Sequence, residues 1–231
     1  MSKVLFVLSS HSELGTTGRK TGYYVPETAH PYAVLTREGI DVDFVSPQGG
    51  QPPQDGIDRS DPVQAAFLDD PAITERLATT RRPQDVNPTD YEAVLFVGGH
   101  GAMWDFPDNA QLASIATEVY ERGGVVSAVC HGPAGLVNIK LTDGSYLVAG
   151  KTVAAFSDDE ERAVGLDAEV PFLLASKLVE RGAQHTQADN FQAHVEVDGR
   201  LVTGQNPASA SPLAEQVVKV LRARTPAGSS A

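Results

Sequence analysis

The chain has 231 residues, a formal net charge of −12 and one cysteine. Such an acidic protein is repelled by nucleic acid and by anionic membranes, so we expect neither as a partner. One cysteine excludes an intramolecular disulfide and a zinc site built from cysteines, which favours a reducing, cytoplasmic location. The apolar run after Lys3 is too short for a signal peptide or a membrane span, and it predicts a first strand.

Strands and helices are predicted in alternation along the chain. Short apolar runs bounded by turn residues predict buried strands at 4–9, 41–45, 91–97, 124–129 and 151–156. Helices are predicted at 23–35, 63–68, 72–79, 112–119, 173–179 and 213–221. This alternation favours an α/β fold with a doubly wound, mostly parallel sheet and helices on both faces. The fold would be flavodoxin-like, as in the class I glutamine amidotransferases.

The remaining segments are interpreted around this sheet. Residues 1–224 are expected to form a single domain, in which 47–90, rich in Pro, Gln and Asp, is an insertion or cap. Residues 194–203 predict a hairpin with Asp198 at its turn. Residues 225–231 predict a disordered tail.

The stretch 124–137 carries the clearest chemical signal. A strand ends at Cys130, Gly132 then allows a tight turn, and Pro133 suits the start of a helix. That helix is expected to open within 134–137. A sharp turn between strand and helix exposes its side chain, as in the nucleophile elbow of the α/β hydrolases, so we expect a reactive thiolate with a pKa lowered by the helix N-terminus. The alternative is a small buried hydrophobe, the common state of a lone cysteine.

Four stretches together resemble the ThiJ/PfpI superfamily, in particular its glutathione-independent glyoxalase III enzymes and related stress chaperones. They are TGY at 21–23 with PETAHP at 26–31, GGHGAMWDFP at 98–107, AVCHGPA at 128–134 and TGQNPAS at 203–209. The likeness extends over almost the whole chain, and the four stretches together are specific. It implies a homodimer and an enzyme that needs no cofactor.

The likeness also implies roles for three side chains. Glu27 corresponds to the family's glutamate beside the cysteine, where a half-buried carboxyl has a raised pKa and can donate a hydrogen bond to sulfur or move a substrate proton. His131 looks like the triad histidine, and Glu161 is the acid that would orient it. Glu160 is the alternative acid for orienting His131. A further alternative is that the acidic run 158–161 only caps the N-terminus of a helix. Glu27 alternatively complements the N-terminus of its own helix.

The Gly98-Gly99 pair lets backbone approach the site closely. The N–H groups of Gly99 and His131 are therefore expected to form an oxyanion hole, and the alternative is a tight glycine turn with no catalytic part. Trp104 and His100 are expected to line the substrate pocket. The six histidines include no close pair at metal-ligand spacing on a helix, so we expect no required metal.

The reaction implied by the likeness is the conversion of methylglyoxal, or a similar small 2-oxoaldehyde, to D-lactate, with Cys130 as the nucleophile. Unfolded or glycated proteins are further implied partners. A second hypothesis is a holdase chaperone or oxidation sensor, in which Cys130 becomes a sulfinate stabilised by Glu27. A third is a cysteine peptidase or a glutamine amidotransferase-like hydrolase, because His194 and Glu196 superficially match the His-x-Glu motif of amidotransferases.

Overall fold

The computed structural model describes residues 2–224. The strands are β1 (Lys3–Val7), β2 (Tyr23–Tyr24), β3 (Asp41–Val45), β4 (Gln54–Asp55), β5 (Ala93–Phe96), β6 (Val125–Val129), β7 (Thr152–Val153), β8 (Gln184–His185), β9 (Val195–Asp198) and β10 (Leu201–Gly204). The α-helices are α1 (Pro26–Arg37), α2 (Pro62–Asp69), α3 (Pro71–Ala78), α4 (Ala102–Asp105), α5 (Ala110–Glu121), α6 (Asp158–Ala163), α7 (Leu174–Glu180) and α8 (Ala210–Arg224). The tail predicted at 225–231 lies outside the described residues. No helix between residues 2 and 224 has the length and apolarity needed to cross a lipid bilayer.

Six strands form the central sheet, in the order β3-β1-β5-β6-β10-β9. Every neighbouring pair is parallel except β9 and β10, which form the predicted antiparallel hairpin. The predicted α/β fold with a mostly parallel sheet is confirmed.

Side chains of the central strands enter two cores on opposite faces of the sheet. In β1, Leu5 and Val7 pack into one core with α5, while Val4 and Phe6 pack into the other with α1 and α8. A strand covered on both faces needs apolar residues at every position, because successive side chains point to opposite faces. This is why the central strands are recognisable in the sequence as continuous apolar runs.

The strand predicted at 151–156 is wrong in its extent and in its sheet. Only β7 forms there, and it pairs with β8 in a separate two-stranded sheet. Side chains from the hairpin occupy N–H groups that a longer strand would use. The Thr152 N–H donates to Asp198 Oδ2 at 2.9 Å, and the Ala154 N–H donates to Thr203 Oγ1 at 2.9 Å.

Helices α2 and α3 lie within the segment 47–90, close to the two predicted helical pieces. Each begins with a proline after an aspartate whose side chain accepts a backbone N–H, Asp61 for α2 and Asp70 for α3. Phe67 and Ile73 pack into the core that also contains residues of α1. The interpretation of 47–90 as an insertion or cap within a single domain stays a prediction.

Candidate active site

The strand order places a crevice between the carboxyl ends of β1 and β5. From β1 the sheet continues to β3 on one side and to β5 and β6 on the other, and open α/β sheets bind ligands at such a reversal. Gly98 follows β5, Cys130 follows β6, and α1 brings Glu27 to the same place. A Cβ added to Gly98 would lie 2.1 Å from Glu27 Oε2 and 2.8 Å from Cys130 Cβ. The fold therefore brings the predicted cysteine and the predicted glutamate together.

Cys130 occupies a strained turn. Its φ is +58°, a region that costs a non-glycine residue about 1–3 kcal/mol and recurs at active sites. The Cys130 N–H donates to the Gly204 carbonyl at 2.9 Å, and the Cys130 carbonyl accepts from the Phe156 N–H at 2.8 Å. Backbone hydrogen bonds on both sides thus keep Cys130 in this strained conformation. The helix predicted after the turn is a 3₁₀ segment, Gly132–Leu136, and not an α-helix.

The prediction of a lowered thiol pKa is wrong. Burial, and after it the neighbouring Glu27, raise the pKa of Cys130 well above its usual value. Cys130 is only 5% exposed, and a five-residue 3₁₀ segment contributes little of the dipole on which the prediction relies. The sulfur is consequently a thiol in the unliganded protein, and nucleophilic attack requires a base that removes its proton.

Glu27 lies at the second position of α1 and is fully buried. Neither of its carboxyl oxygens has a partner in good hydrogen-bonding geometry among residues 2–224. Burial raises the pKa of Glu27 to about 8, although the neighbouring Cys130 thiol and Gly98 backbone oppose the rise. The carboxyl is therefore mostly protonated at neutral pH. An acid that only complemented a helix N-terminus would instead stay ionised.

His131 connects the sulfur to an acid. Its Nδ1 lies 3.3 Å from Cys130 Sγ, and its Nε2 lies 2.7 Å from Glu161 Oε2. Burial, reinforced by His100, lowers the pKa of His131 to about 4, although Glu161 opposes the change. A neutral imidazole that donates its Nε2–H to Glu161 turns the lone pair of Nδ1 toward the thiol. This is the arrangement of a general base.

The two adjacent glutamates of α6 serve different partners. Glu160 completes a capping box with Ser157 and also accepts from Asn206 Nδ2 and the Phe191 N–H, both at 2.8 Å. Glu161 faces the histidines. Burial raises the pKa of Glu161, but hydrogen bonds from His100 and His131 outweigh it and lower the pKa to about 2. The helix-capping interpretation thus describes Glu160, and Glu161 is the acid in contact with His131.

Gly99 lies against the loop that precedes α1. Its φ is +101°, and a Cβ there would lie 2.3 Å from the Gly22 carbonyl oxygen, so a side chain cannot be accommodated. Within residues 2–224, neither the Gly99 N–H nor the His131 N–H donates a hydrogen bond. Both N–H groups therefore lack an acceptor among these residues, and their joint action as an oxyanion hole stays a prediction.

Trp104 lies on α4 and stacks on His11, with ring centroids 5.0 Å apart. Its contact with substrate stays a prediction.

The sequence analysis assigns no role to Tyr24, which is half-buried beside the site. Burial raises the pKa of Tyr24, and the charges of Glu27 and Cys130 add to the rise. The signal was present in the sequence, because Tyr24 lies within the TGY…PETAHP stretch.

His100, His131 and Glu161 form a compact group that could hold a metal ion, since their ligand atoms all lie within 4.8 Å of one another. The sequence shows no close pair of histidines at ligand spacing because β5 and β6 are adjacent in the sheet but distant in the chain. Each imidazole Nε2 is hydrogen-bonded to the carboxylate, so the three side chains also satisfy one another without an ion.

These features define a class of protein: a flavodoxin-like α/β fold with a cysteine at a strained elbow, a histidine next to it in the chain and a glutamate from a following helix. The chain belongs to the DJ-1/PfpI family, which matches residues 21–220. The resemblance to the ThiJ/PfpI superfamily is thereby confirmed.

Two relatives with the same sequence identity to this chain carry the name glyoxalase. The glutathione-independent glyoxalase of Saccharomyces cerevisiae is 35% identical over 238 residues, which cover 95% of this chain and 98% of that protein. Glyoxalase 3 of Candida albicans is 35% identical over 239 residues, which cover 94% of this chain and 98% of that protein. The resemblance to the glyoxalase III branch is confirmed at this level of identity.

Solved structures agree with this placement. Glyoxalase III from Candida albicans superposes with a TM-score of 0.86 at 32% identity, covering 95% of this chain and 97% of that one. The Rapid Encystment Protein 24 kDa of Francisella tularensis superposes with a TM-score of 0.93 at 38% identity, covering 96% and 99%. Drosophila melanogaster DJ-1beta, at 17% identity and a TM-score of 0.60, shares the fold.

Proposed function

We propose that the protein is a glutathione-independent glyoxalase of the glyoxalase III type. It converts methylglyoxal, or a similar small 2-oxoaldehyde, to a 2-hydroxy acid such as D-lactate, and it needs no cofactor. The observation that carries the proposal is one sulfur beside two proton-handling groups, His131 Nδ1 at 3.3 Å and the buried carboxyl of Glu27. The names of relatives that match almost the whole chain support the same reaction.

The first step forms a hemithioacetal. His131 accepts the thiol proton of Cys130 at Nδ1, and Glu161 stabilises the resulting imidazolium through Nε2. The sulfur attacks the aldehyde carbon, a C–S bond forms, and the carbonyl electrons move to oxygen, where the N–H groups of Gly99 and His131 stabilise the charge. The proton then passes from His131 to that oxygen, so the adduct is neutral.

The second step moves a hydrogen between two carbons of the adduct. The carboxylate form of Glu27 removes the hydrogen from the carbon bonded to sulfur, and the electrons pass to the neighbouring carbonyl as an enediol forms. Glu27 returns the proton to that neighbouring carbon, and the hydroxyl proton on the carbon bonded to sulfur passes to the neighbouring oxygen. One carbon is oxidised to a thioester and the other is reduced to an alcohol, so no external redox partner is needed. A pKa of about 8 suits a group that both takes and gives a proton near neutral pH.

Hydrolysis completes the cycle. Water attacks the thioester, the C–S bond breaks, and the 2-hydroxy acid leaves while the proton returns to the sulfur. Overall, the reaction consumes one 2-oxoaldehyde and one water and yields one 2-hydroxy acid.

The test is to assay the purified protein with methylglyoxal and with glyoxal in the absence of glutathione, measuring D-lactate and glycolate. Cys130→Ser and Glu27→Gln are expected to abolish product. His194→Ala is the matched control, because His194 binds Thr186 and Glu196 and not the sulfur. Full turnover in either of the first two variants would refute the mechanism.

The same variants test the hydrolase alternative. In an amidotransferase that uses the His194-x-Glu196 motif, His194→Ala would stop turnover and His131→Ala would not. We expect the reverse, because His131 is the histidine in contact with Cys130.

The chaperone hypothesis is separable from turnover. Suppression of aggregation that survives Cys130→Ser while lactate formation vanishes would establish a holdase function that does not need the sulfur. The homodimer, the cytoplasmic location and the action on unfolded or glycated proteins stay predictions.

A further inference from the structure

Phe191 is a large apolar residue that is both strained and exposed. Its φ is +63°, a region that is uncommon for a bulky residue and costs free energy. The residue is 49% exposed, so its own packing returns little of that cost. In the described part of the chain, residues 2–224, Cys130 is the other residue besides the glycines with a positive φ. A glycine would fit the backbone at this position without strain, so folding alone does not account for the phenyl ring.

The strain arises in a tight turn that begins at Asp189. The Gln192 N–H donates to the Asp189 carbonyl at 3.0 Å, which places Phe191 at the third position of the turn, where a positive φ favours glycine or asparagine. The Phe191 N–H donates to the buried Glu160 Oε1 at 2.8 Å. The buried Asn206 donates its Nδ2–H to the Gln192 carbonyl at 2.7 Å. Buried groups outside the turn therefore hold the backbone of Phe191 in this conformation.

Aromatic contacts connect Phe191 to the proposed triad. The ring centroids of Phe191 and Phe156 lie 6.5 Å apart, and those of Phe156 and His131 lie 4.4 Å apart. Phe156 is 5% exposed, and its N–H donates to the Cys130 carbonyl. Phe191 is thus the solvent-exposed end of a row of rings that begins beside the sulfur.

We infer that Phe191 determines specificity at this site. Its ring forms an apolar lip of the crevice and binds the group attached to the ketone carbon of the 2-oxoaldehyde. The identity of this substrate rests on the proposed function, whereas the affinity of the lip for apolar groups that approach Cys130 does not.

The physical reason is the division of the substrate between a polar interior and an apolar edge. The sulfur bonds to the aldehyde carbon and Glu27 exchanges a proton with the ketone carbon, so both carbons lie among buried polar side chains. The group on the ketone carbon is the part of the substrate that is left to reach the edge where Phe191 lies. An apolar group gains free energy by burial against a phenyl ring, and an aromatic group gains more by stacking.

The test compares glyoxal, in which that group is a hydrogen atom, with phenylglyoxal, in which it is an aromatic ring. In Phe191→Gly, kcat/KM for phenylglyoxal should fall about tenfold or more, while kcat/KM for glyoxal should stay within about twofold of the parent value. Phe191→Leu keeps an apolar side chain and should lose less. Val197→Thr is the matched control, because it removes an exposed apolar side chain on β9, and it should change neither value.

A structural role for Phe191 predicts a different result. Phe191→Gly should melt at or above the temperature of the parent, because glycine accepts the positive φ without strain. A clear fall in melting temperature, with kcat/KM lowered by the same factor for both substrates, would overturn the inference. Dissociation of a dimer in Phe191→Gly, measured by sedimentation, would place the ring in an interface between two copies of the chain and would overturn it as well.

A readout without turnover separates this inference from the proposed function. Cys130 is the one cysteine of the chain, so its rate of alkylation by iodoacetanilide, which carries a phenyl ring, can be divided by its rate with iodoacetamide. This ratio should fall in Phe191→Gly and stay unchanged in Val197→Thr. A lowered ratio in a protein that makes no 2-hydroxy acid would refute the glyoxalase and leave the apolar lip standing. Formation of 2-hydroxy acid with an unchanged ratio and an unchanged preference for phenylglyoxal would refute this inference alone.

Discussion

Glu27→Gln should inactivate the protein and at the same time make its stability less sensitive to pH. The pKa of Glu27 is about 8 in the folded protein against an ordinary value of 4.5. Between these two values the folded state binds a proton that the unfolded state has lost, so the free energy of unfolding falls as pH rises. The fall is about 1.4 kcal/mol per pH unit, or about 5 kcal/mol in total. Glutamine does not titrate, and its variant should not show this loss.

The assay is urea unfolding at several pH values between about 4.5 and 8, with both proteins in a Cys130→Ala background so that no thiol titrates beside Glu27. The difference in free energy of unfolding between Glu27→Gln and its parent should grow by about 1.4 kcal/mol per pH unit. A buried, unpaired amide adds a constant penalty to the variant, so the slope is the readout and not the absolute value. Glu215→Gln, an exposed substitution on α8, should track the parent at every pH. A difference that stays constant with pH would refute the buried, protonated carboxyl.

Three further outcomes are expected. The profile of kcat/KM against pH should rise from an acid limb near about 4, below which His131 is protonated, to a plateau above about 8, where Glu27 is the carboxylate that the second step needs. A profile that is flat or falls as pH approaches 8 would contradict this assignment. Glu161→Gln should lower kcat about 10³-fold, because one amide cannot accept hydrogen bonds from both histidines. Glu160→Gln should lower the free energy of unfolding in urea by about 1 kcal/mol and keep its turnover per folded molecule. Equal loss of turnover in both variants would count against Glu161 as the orienting acid. Gly99→Ala should destabilise the fold by about 3 kcal/mol or more, measured by thermal unfolding, because its Cβ would lie 2.3 Å from the Gly22 carbonyl oxygen at a positive φ; an unchanged melting temperature would show that this turn can rearrange.

The fold could be predicted because its strongest signals are local. Strands such as β5 and β6 are buried on both faces, so they appear in the sequence as apolar runs without alternation. The turn after β6 is similarly local, since Gly132 and Pro133 follow Cys130 directly. The extent of β7 could not be predicted, because side chains of Asp198 and Thr203 occupy its N–H groups and nothing in the segment itself indicates them.

The site was predictable only in part. Only the resemblance to a family indicates Glu27 and Glu161, since no spacing rule relates either residue to Cys130. The predicted direction of the Cys130 pKa is wrong because this pKa depends on burial and on carboxyl groups that two other segments, α1 and α6, bring to the sulfur. The contact of His100 with Glu161 depends on the pairing of β5 with β6, which the sequence does not show residue by residue.

The carboxylates around Cys130 have a consequence for what leaves the site. Glu27 is mostly protonated at neutral pH, but the charges of Glu160 and Glu161 act on the sulfur, so the crevice disfavours any anion that forms in it. A 2-oxoaldehyde enters without charge, but hydrolysis of the thioester produces a carboxylate, and two like charges about 4 Å apart near a protein surface repel by about 4 kcal/mol. The product is thus repelled by these side chains because of the charge that it acquires, and accumulated lactate should inhibit the enzyme little.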